Sequence, residues 1–149
     1  MRLRFPFLSL LRGGKTDPTL GDLSNAIAAA AWTAVSDEAG TVPSCVIVYA
    51  RIDPAFAESR LSMMTLYTRI PGDVVESLHG PGNRNVMDAV EAQRTHLLAS
   101  GPAPWFSLTQ RIEYGRFETD MTYEATPELS LGAWDIGQWL KRKHFGQTD

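Results

Sequence analysis

Residues 117–124 read Phe-Glu-Thr-Asp-Met-Thr-Tyr-Glu. Phe117, Thr119, Met121 and Tyr123 fall on one side of a period-two pattern; Glu118, Asp120, Thr122 and Glu124 fall on the other. Only an extended strand gives that period one apolar face and one charged face. The first face has to enter a core, and the second sets out a row of carboxylates. Trp105 to Glu113 precedes it as a second strand, and Gly115 lies where the two would turn into a hairpin. The chain therefore contains antiparallel sheet.

The remaining segments add to that hairpin. Thr19-Leu-Gly-Asp22 has the form of a capping box, with Asp in the N3 place. It predicts a helix from about Gly21 to Ala39, with Leu23, Ile27, Ala30, Ala31, Ala34 and Val35 at helical spacing and Gly40 as its stop. Ser44 to Ile52 is rich in β-branched and aromatic residues and predicts a buried strand, turned by Asp53-Pro54. Ser62 to Ile70 predicts an antiparallel partner stopped by Pro71-Gly72, and Asp73 to His79 reads as turn-rich. A second helix is expected over about Arg84–Ser100, with Val86, Val90, Leu97 and Leu98 on one stripe, closed by Gly101-Pro102. A third opens at Thr126 as N-cap with Pro127 at N1, and ends near Phe145-Gly146. The order is α-β-β-α-β-β-α. The economical arrangement is α+β: an antiparallel sheet of about four strands, or more, with helices packed on one face. Residues 19–149 form the single domain, and residues 1–18, which include the Gly13-Gly14 hinge, are a basic arm, either mobile or docked as a strand.

Charge is unevenly spread. Arg2, Arg4, Arg12 and Lys15 stand without an acid in the first fifteen residues, and Lys141, Arg142 and Lys143 cluster near the end. Residues 16–140 hold seven arginines against sixteen carboxylates, a balance of -9. An acidic body repels nucleic acid and membranes and favours basic partners. Phe5 to Leu11 is short, contains Pro6 and ends at Arg12-Gly-Gly-Lys, which favours an arm over a targeting segment, and no run approaches the roughly 18 apolar residues that span a bilayer. Cys45 is the only cysteine, so no intrachain disulfide can form, and a reducing, cytoplasmic compartment is the expectation.

Catalytic motifs are sparse. His79, His96 and His144 lack metal-ligand spacing, so no metal or cofactor is expected. There is no Gly-x-Ser-x-Gly elbow, and Gly80-Pro-Gly82 lacks the Lys-Ser/Thr of a phosphate loop. Glu118 and Asp120 lie about 7 Å apart along the strand, a distance that also suits an acid/base pair. Three readings of this row remain open: a solvated face, an acidic surface for a partner, and acid/base chemistry. Trp105, Tyr114, Phe117 and Tyr123, with Trp134 and Trp139, are expected to form the sheet–helix core. Trp134 and Trp139 diverge by about 140° on a helix, so at least one approaches the surface.

At these residues the chain resembles a family. Trp105, the alternating strand, Gly115-x-Phe117, Asp120-Met-Thr-Tyr123 and a closing helix with Trp139 and Lys143-His-Phe-Gly146 are similar to the YezG-like antitoxin, or immunity protein, family of bacterial polymorphic toxin systems. The likeness covers residues 105–146. Arg116 replaces the usual lysine, and the closing motif lacks its leucine. The resemblance implies a non-enzymatic cytoplasmic protein that binds and neutralises a cognate toxin domain, such as a nuclease with a basic active site. Glu118, Asp120 and Glu124, with Glu113 near the same hairpin tip, are the residues matched to that contact. Neither nucleic acid nor membrane is an expected partner. The alternative is a small-ligand-binding α+β domain with an aromatic-lined pocket between sheet and helices. A third possibility, a hydrolase or isomerase, requires a carboxylate and His79 or His96 to converge in a cleft.

Overall fold

A computed structural model describes residues 2–5, 19–40, 42–52, 63–70, 73–75, 82–100, 105–124 and 126–146, with 2–5, 39, 63–70, 73–75, 100, 133 and 134 described by backbone alone. The elements are β1 (Arg2–Phe5), α1 (Leu20–Ala39), β2 (Cys45–Arg51), β3 (Met63–Ile70), β4 (Asp73–Val75), α2 (Gly82–Ser100), β5 (Ser107–Glu113), β6 (Arg116–Thr122) and α3 (Ala133–Phe145), with a 3-10 turn over Pro127–Ser130 before α3. The Gly13-Gly14 hinge, the Asp53-Pro54 and Pro71-Gly72 turns, His79, Gly80-Pro81 and Gly101-Pro102 lie outside the described residues. The class is α+β, as the sequence leads one to expect.

The sheet has more strands than the four located from the sequence. Among the described residues it has six strands in the order β1-β6-β5-β2-β3-β4, every neighbouring pair antiparallel. The two additions are edge strands of four and three residues. Pieces that short carry no periodicity of their own and take extended form by pairing with a formed neighbour. The expected order gains a strand at its start and another after β3.

The local signals explain α1 closely. Thr19 Oγ1 accepts from the Asp22 amide at 3.1 Å, and the Asp22 carboxylate accepts from the Thr19 amide at 3.0 Å, so both arms of the capping box are made. Gly40 takes φ 68° at the other end. Ile27, Ala28, Ala31, Ala34 and Val35 face inward and meet Val86, Val90 and Leu97 of α2, together with Val46, Val48 and Ala50 of β2. Leu98, expected on the α2 stripe, is instead exposed. Helix α2 opens at Gly82, two residues before the expected start. A β-carbon built on Gly82 would stand 2.6 Å from the Ala34 methyl, so the two helices cross where neither carries bulk.

The expectation of helices on one face is corrected. β2 is buried at every position from Cys45 to Ala50. Val46, Val48 and Ala50 enter the α1–α2 layer, whereas Cys45, Ile47 and Tyr49 pack against Ile136 and Leu140 of α3 on the opposite face. A strand apolar at both parities has to be covered twice.

The start of α3 also moves. Thr126 and Pro127 initiate a turn as expected, but it is 3-10 and ends at Ser130; the α-helix begins at Ala133 with Gly132 as its N-cap. Arg51 gives the reason. Its Nη1 donates to the Glu128 carbonyl at 2.9 Å and its Nη2 to the Leu131 carbonyl, tying the turn to the end of β2. Gly146 closes α3 with φ 63°.

Candidate functional site

Glu113 pairs with Arg116 across a two-residue turn made by Tyr114 and Gly115. Gly115 has φ 79°, the left-handed value required at the second corner of a type II turn, which an L side chain resists. Tyr114 is 79% exposed, contrary to the expectation that it joins the core. Its ring meets the half-buried Trp32 of α1 edge-on, centroids 6.2 Å apart.

The alternation of β6 holds through Thr122: Phe117, Thr119 and Met121 are buried and Glu118, Asp120 and Thr122 half-buried. Residues opposed across an antiparallel pair share a face. The register Thr109–Asp120, Arg111–Glu118 and Glu113–Arg116 therefore gathers Glu113, Glu118 and Asp120 on the face that carries α3. Glu124 is not brought to that row. It is exposed beyond the end of β6, at the far end from the hairpin turn, on the order of 20 Å from Glu113 by strand rise.

The row is not bare. Glu113 accepts from Arg111 and from Arg116, each at 3.2 Å, and these guanidiniums, Arg116 foremost, hold its carboxyl below the usual range. Neither Glu118 nor Asp120 is without a partner. On their other side, β1 sets Arg4 opposite Glu118 and Arg2 opposite Asp120. By register, acidic and basic positions thus alternate across β1, β6 and β5 in a strip that no single stretch of sequence displays.

α3 borders this strip. Arg111 Nη1 donates to the His144 carbonyl at 2.9 Å, and Trp139, half-buried, is flanked by Tyr49 at 6.3 Å and by the Lys143 ammonium at 4.6 Å. The side chain of Trp134 lies outside the described residues. His144 Nε2 is enclosed without a hydrogen-bond partner. Burial, then the Lys143 and Arg111 charges, lower the His144 pKa to about 4 against an opposing pull from Asp120. The imidazole is neutral in the fold and protonates more readily when unfolded. Stability contributed by the neutral ring is therefore complete above about pH 6.5 and declines as pH falls toward about 4. His144→Gln is expected to flatten the slope of urea stability between about pH 7 and about pH 5; an unaltered slope would assign that proton uptake to another group.

The opposite face of β5 and β6 holds a polar layer. The Trp105 indole, fully buried, donates to Gln93 Oε1 at 2.7 Å. Gln93 Nε2 reaches Ser24 Oγ at 3.3 Å, and Gln110 Nε2 donates to the Ser24 carbonyl at 2.6 Å and to Thr119 Oγ1 at 3.1 Å. Sequence reasoning missed this layer, although Ser24, Gln93 and Gln110 stand within otherwise core-facing stretches. With Trp105, Tyr49 and Phe117 closed off at 0, 1 and 2% exposure, these rings fill the interior.

The described histidines do not converge. His96 lies on α2 and His144 on α3, on opposite sides of the sheet. Among the described residues, no group of three or more His, Cys, Asp or Glu side chains could hold a metal ion, and no helix is long and apolar enough to cross a membrane. Neither the protein-family models nor the curated proteins compared with the chain give a match.

Proposed function

We propose that the chain is an immunity protein that binds and neutralises a cognate bacterial toxin domain, with the acidic margin of β6 as its contact surface. The observation that carries this reading is the placement of Glu113, Glu118 and Asp120 on one half-exposed sheet face, while the other face of the same strands is committed to the core. A rigid sheet holds such carboxylates at fixed spacing, so a basic partner meets them without an ordering cost. Glu124, exposed beyond the end of β6, stands apart from this row and is tested together with it.

The resemblance residues fit structural supports of this surface. Trp105 anchors the start of the hairpin, Gly115 makes its turn, Phe117 fixes β6 to the core, and Gly146 ends the helix that borders the strip. The test is to express any toxin-like domain found encoded next to the gene for this chain and to measure growth rescue by co-expression of the chain. The wild type is expected to rescue. E118K/D120K/E124K is expected to bind the domain at least about tenfold more weakly, about 1.4 kcal/mol, and E118Q/D120N/E124Q less severely impaired, with thermal unfolding measured to establish that both are folded. Failure of the wild type to rescue would sink the proposal, and full binding by both folded variants would move the interface off β6.

A further inference from the structure

We propose that the outer edge of β6 is a docking site for an extended segment with arginine or lysine at alternate positions, and that residues 2–5 of the chain occupy it as an internal stand-in. This rests on the reading of the β6 margin as the surface that meets a basic protein, and it names how that protein engages. The occupant is an extended basic-apolar segment of the partner, which adds to the sheet in place of β1.

Three observations carry it. β1 is only four residues long, at the edge of the sheet, and pairs with β6 over Phe117 to Asp120. Its register is chemically sorted: Arg2 stands opposite Asp120 and Arg4 opposite Glu118, whereas Leu3 stands opposite Thr119 and Phe5 opposite Phe117. The positions opposite the two carboxylates are thus basic, and those opposite the core-facing residues are apolar. Cross-strand opposition of unlike charges favours this pairing over a register shifted by one, which would set both arginines against the core-facing parity. Finally, thirteen residues, 6–18, separate β1 from the cap of α1. A chain of that length, fully extended, spans up to about 45 Å, which is the upper bound on the reach of β1 once released.

An edge strand without a neighbour is an aggregation hazard, and a strand of the chain's own covers it until a better-matched one arrives. Tethering gives β1 a high effective concentration, so only a partner segment that keeps the alternation, and adds contacts beyond four residues, displaces it. Met121 and Thr122 extend β6 past the pairing with β1 and offer such added length.

The test uses the full chain and a labelled synthetic peptide, Met-Arg-Leu-Arg-Phe-Pro-Phe-Leu, identical to residues 1–8. In R2E/R4E the internal strand opposes acid with acid and is expected to release. The peptide should bind R2E/R4E at least about tenfold more tightly than the wild type, and should restore the slow amide exchange of β6 that the variant loses. A peptide with both arginines changed to glutamate should bind neither protein. Equal affinity for wild type and R2E/R4E, or no binding to either, overturns the inference. So does a wild type that is a dimer where R2E/R4E is a monomer, because the strand then comes from a second copy. Should R2E/R4E fail to fold, L3P removes a ladder donor from β1 alone and takes its place in the same titration. Peptide binding without growth rescue leaves the edge site standing and removes the immunity reading; rescue without peptide binding does the reverse.

Discussion

Trp105→Ala is expected to be among the most damaging single substitutions in this chain, lowering stability by about 3–5 kcal/mol in urea or thermal unfolding. The ring is fully enclosed, its Nε1 donates to Gln93 Oε1 at 2.7 Å, and the Arg94 guanidinium lies 5.6 Å from the ring centroid. Truncation opens a cavity between the sheet and α2, and it leaves Oε1 buried without its donor. The two contributions can be separated. Trp105→Phe retains most of the apolar contact and loses the N–H, so its cost, about 1–3 kcal/mol, reports chiefly on the orphaned Oε1. Adding Gln93→Met to Trp105→Phe removes the orphaned acceptor and should recover part of that loss, although Gln93 Nε2 then no longer serves Ser24. If Trp105→Phe is as stable as the wild type, the hydrogen bond contributes nothing net.

Gly82→Ala is the second. Alanine is ordinarily the better helix former, by about 1 kcal/mol in a helix interior. Here its methyl would meet Ala34 Cβ at 2.6 Å and Ala34 Cα at 2.9 Å, and the Cα is backbone that cannot swing aside. α1 and α2 would have to separate along a crossing built from alanines and valines, losing contact on both sides. A net destabilisation of about 1–3 kcal/mol is expected, with Gly82→Val worse still. Ala34→Gly in the Gly82→Ala background vacates the contested space and should recover stability despite the poor helix propensity of glycine. A stable Gly82→Ala alone would mean that the crossing has slack.

What the sequence disclosed follows the range of the forces involved. The capping box of Thr19 and Asp22, the stop at Gly40, the turn at Gly115 and the alternation of β6 depend on residues within four positions of each other, and each is found where expected. Arg51 is different. Its hydrogen bonds to the Glu128 and Leu131 carbonyls join positions almost eighty residues apart, and they shape the turn that delays α3. The two-sided cover of the sheet did have a signal, since Cys45 to Ala50 is apolar at both parities, but such a run fits one-sided burial equally until the second helix is placed. The acidic row was visible in part, as Glu118 and Asp120 on alternate positions; the arginines at residues 2, 4 and 111 were visible too, with nothing local to say that their positions lie alongside in the sheet. Glu124 was assigned to the strand by pattern alone, whereas β6 ends at Thr122.

The order of the strands also sets a timetable. Phe5 pairs with Phe117, 112 residues downstream, and Arg2 with Asp120, 118 residues downstream. At roughly 5–20 residues per second, synthesis separates the emergence of β1 from that of its partner by about 6–24 s. Among the described residues no other strand pairing closes so long a loop, and loop closure of this kind slows folding. During that interval an arginine-bearing apolar segment is outside the ribosome with no edge to join, open to chaperones and to neighbouring nascent chains. The sheet is therefore completed from its β2-β3-β4 side toward β6, and the earliest-made of the six described strands is the last to be seated.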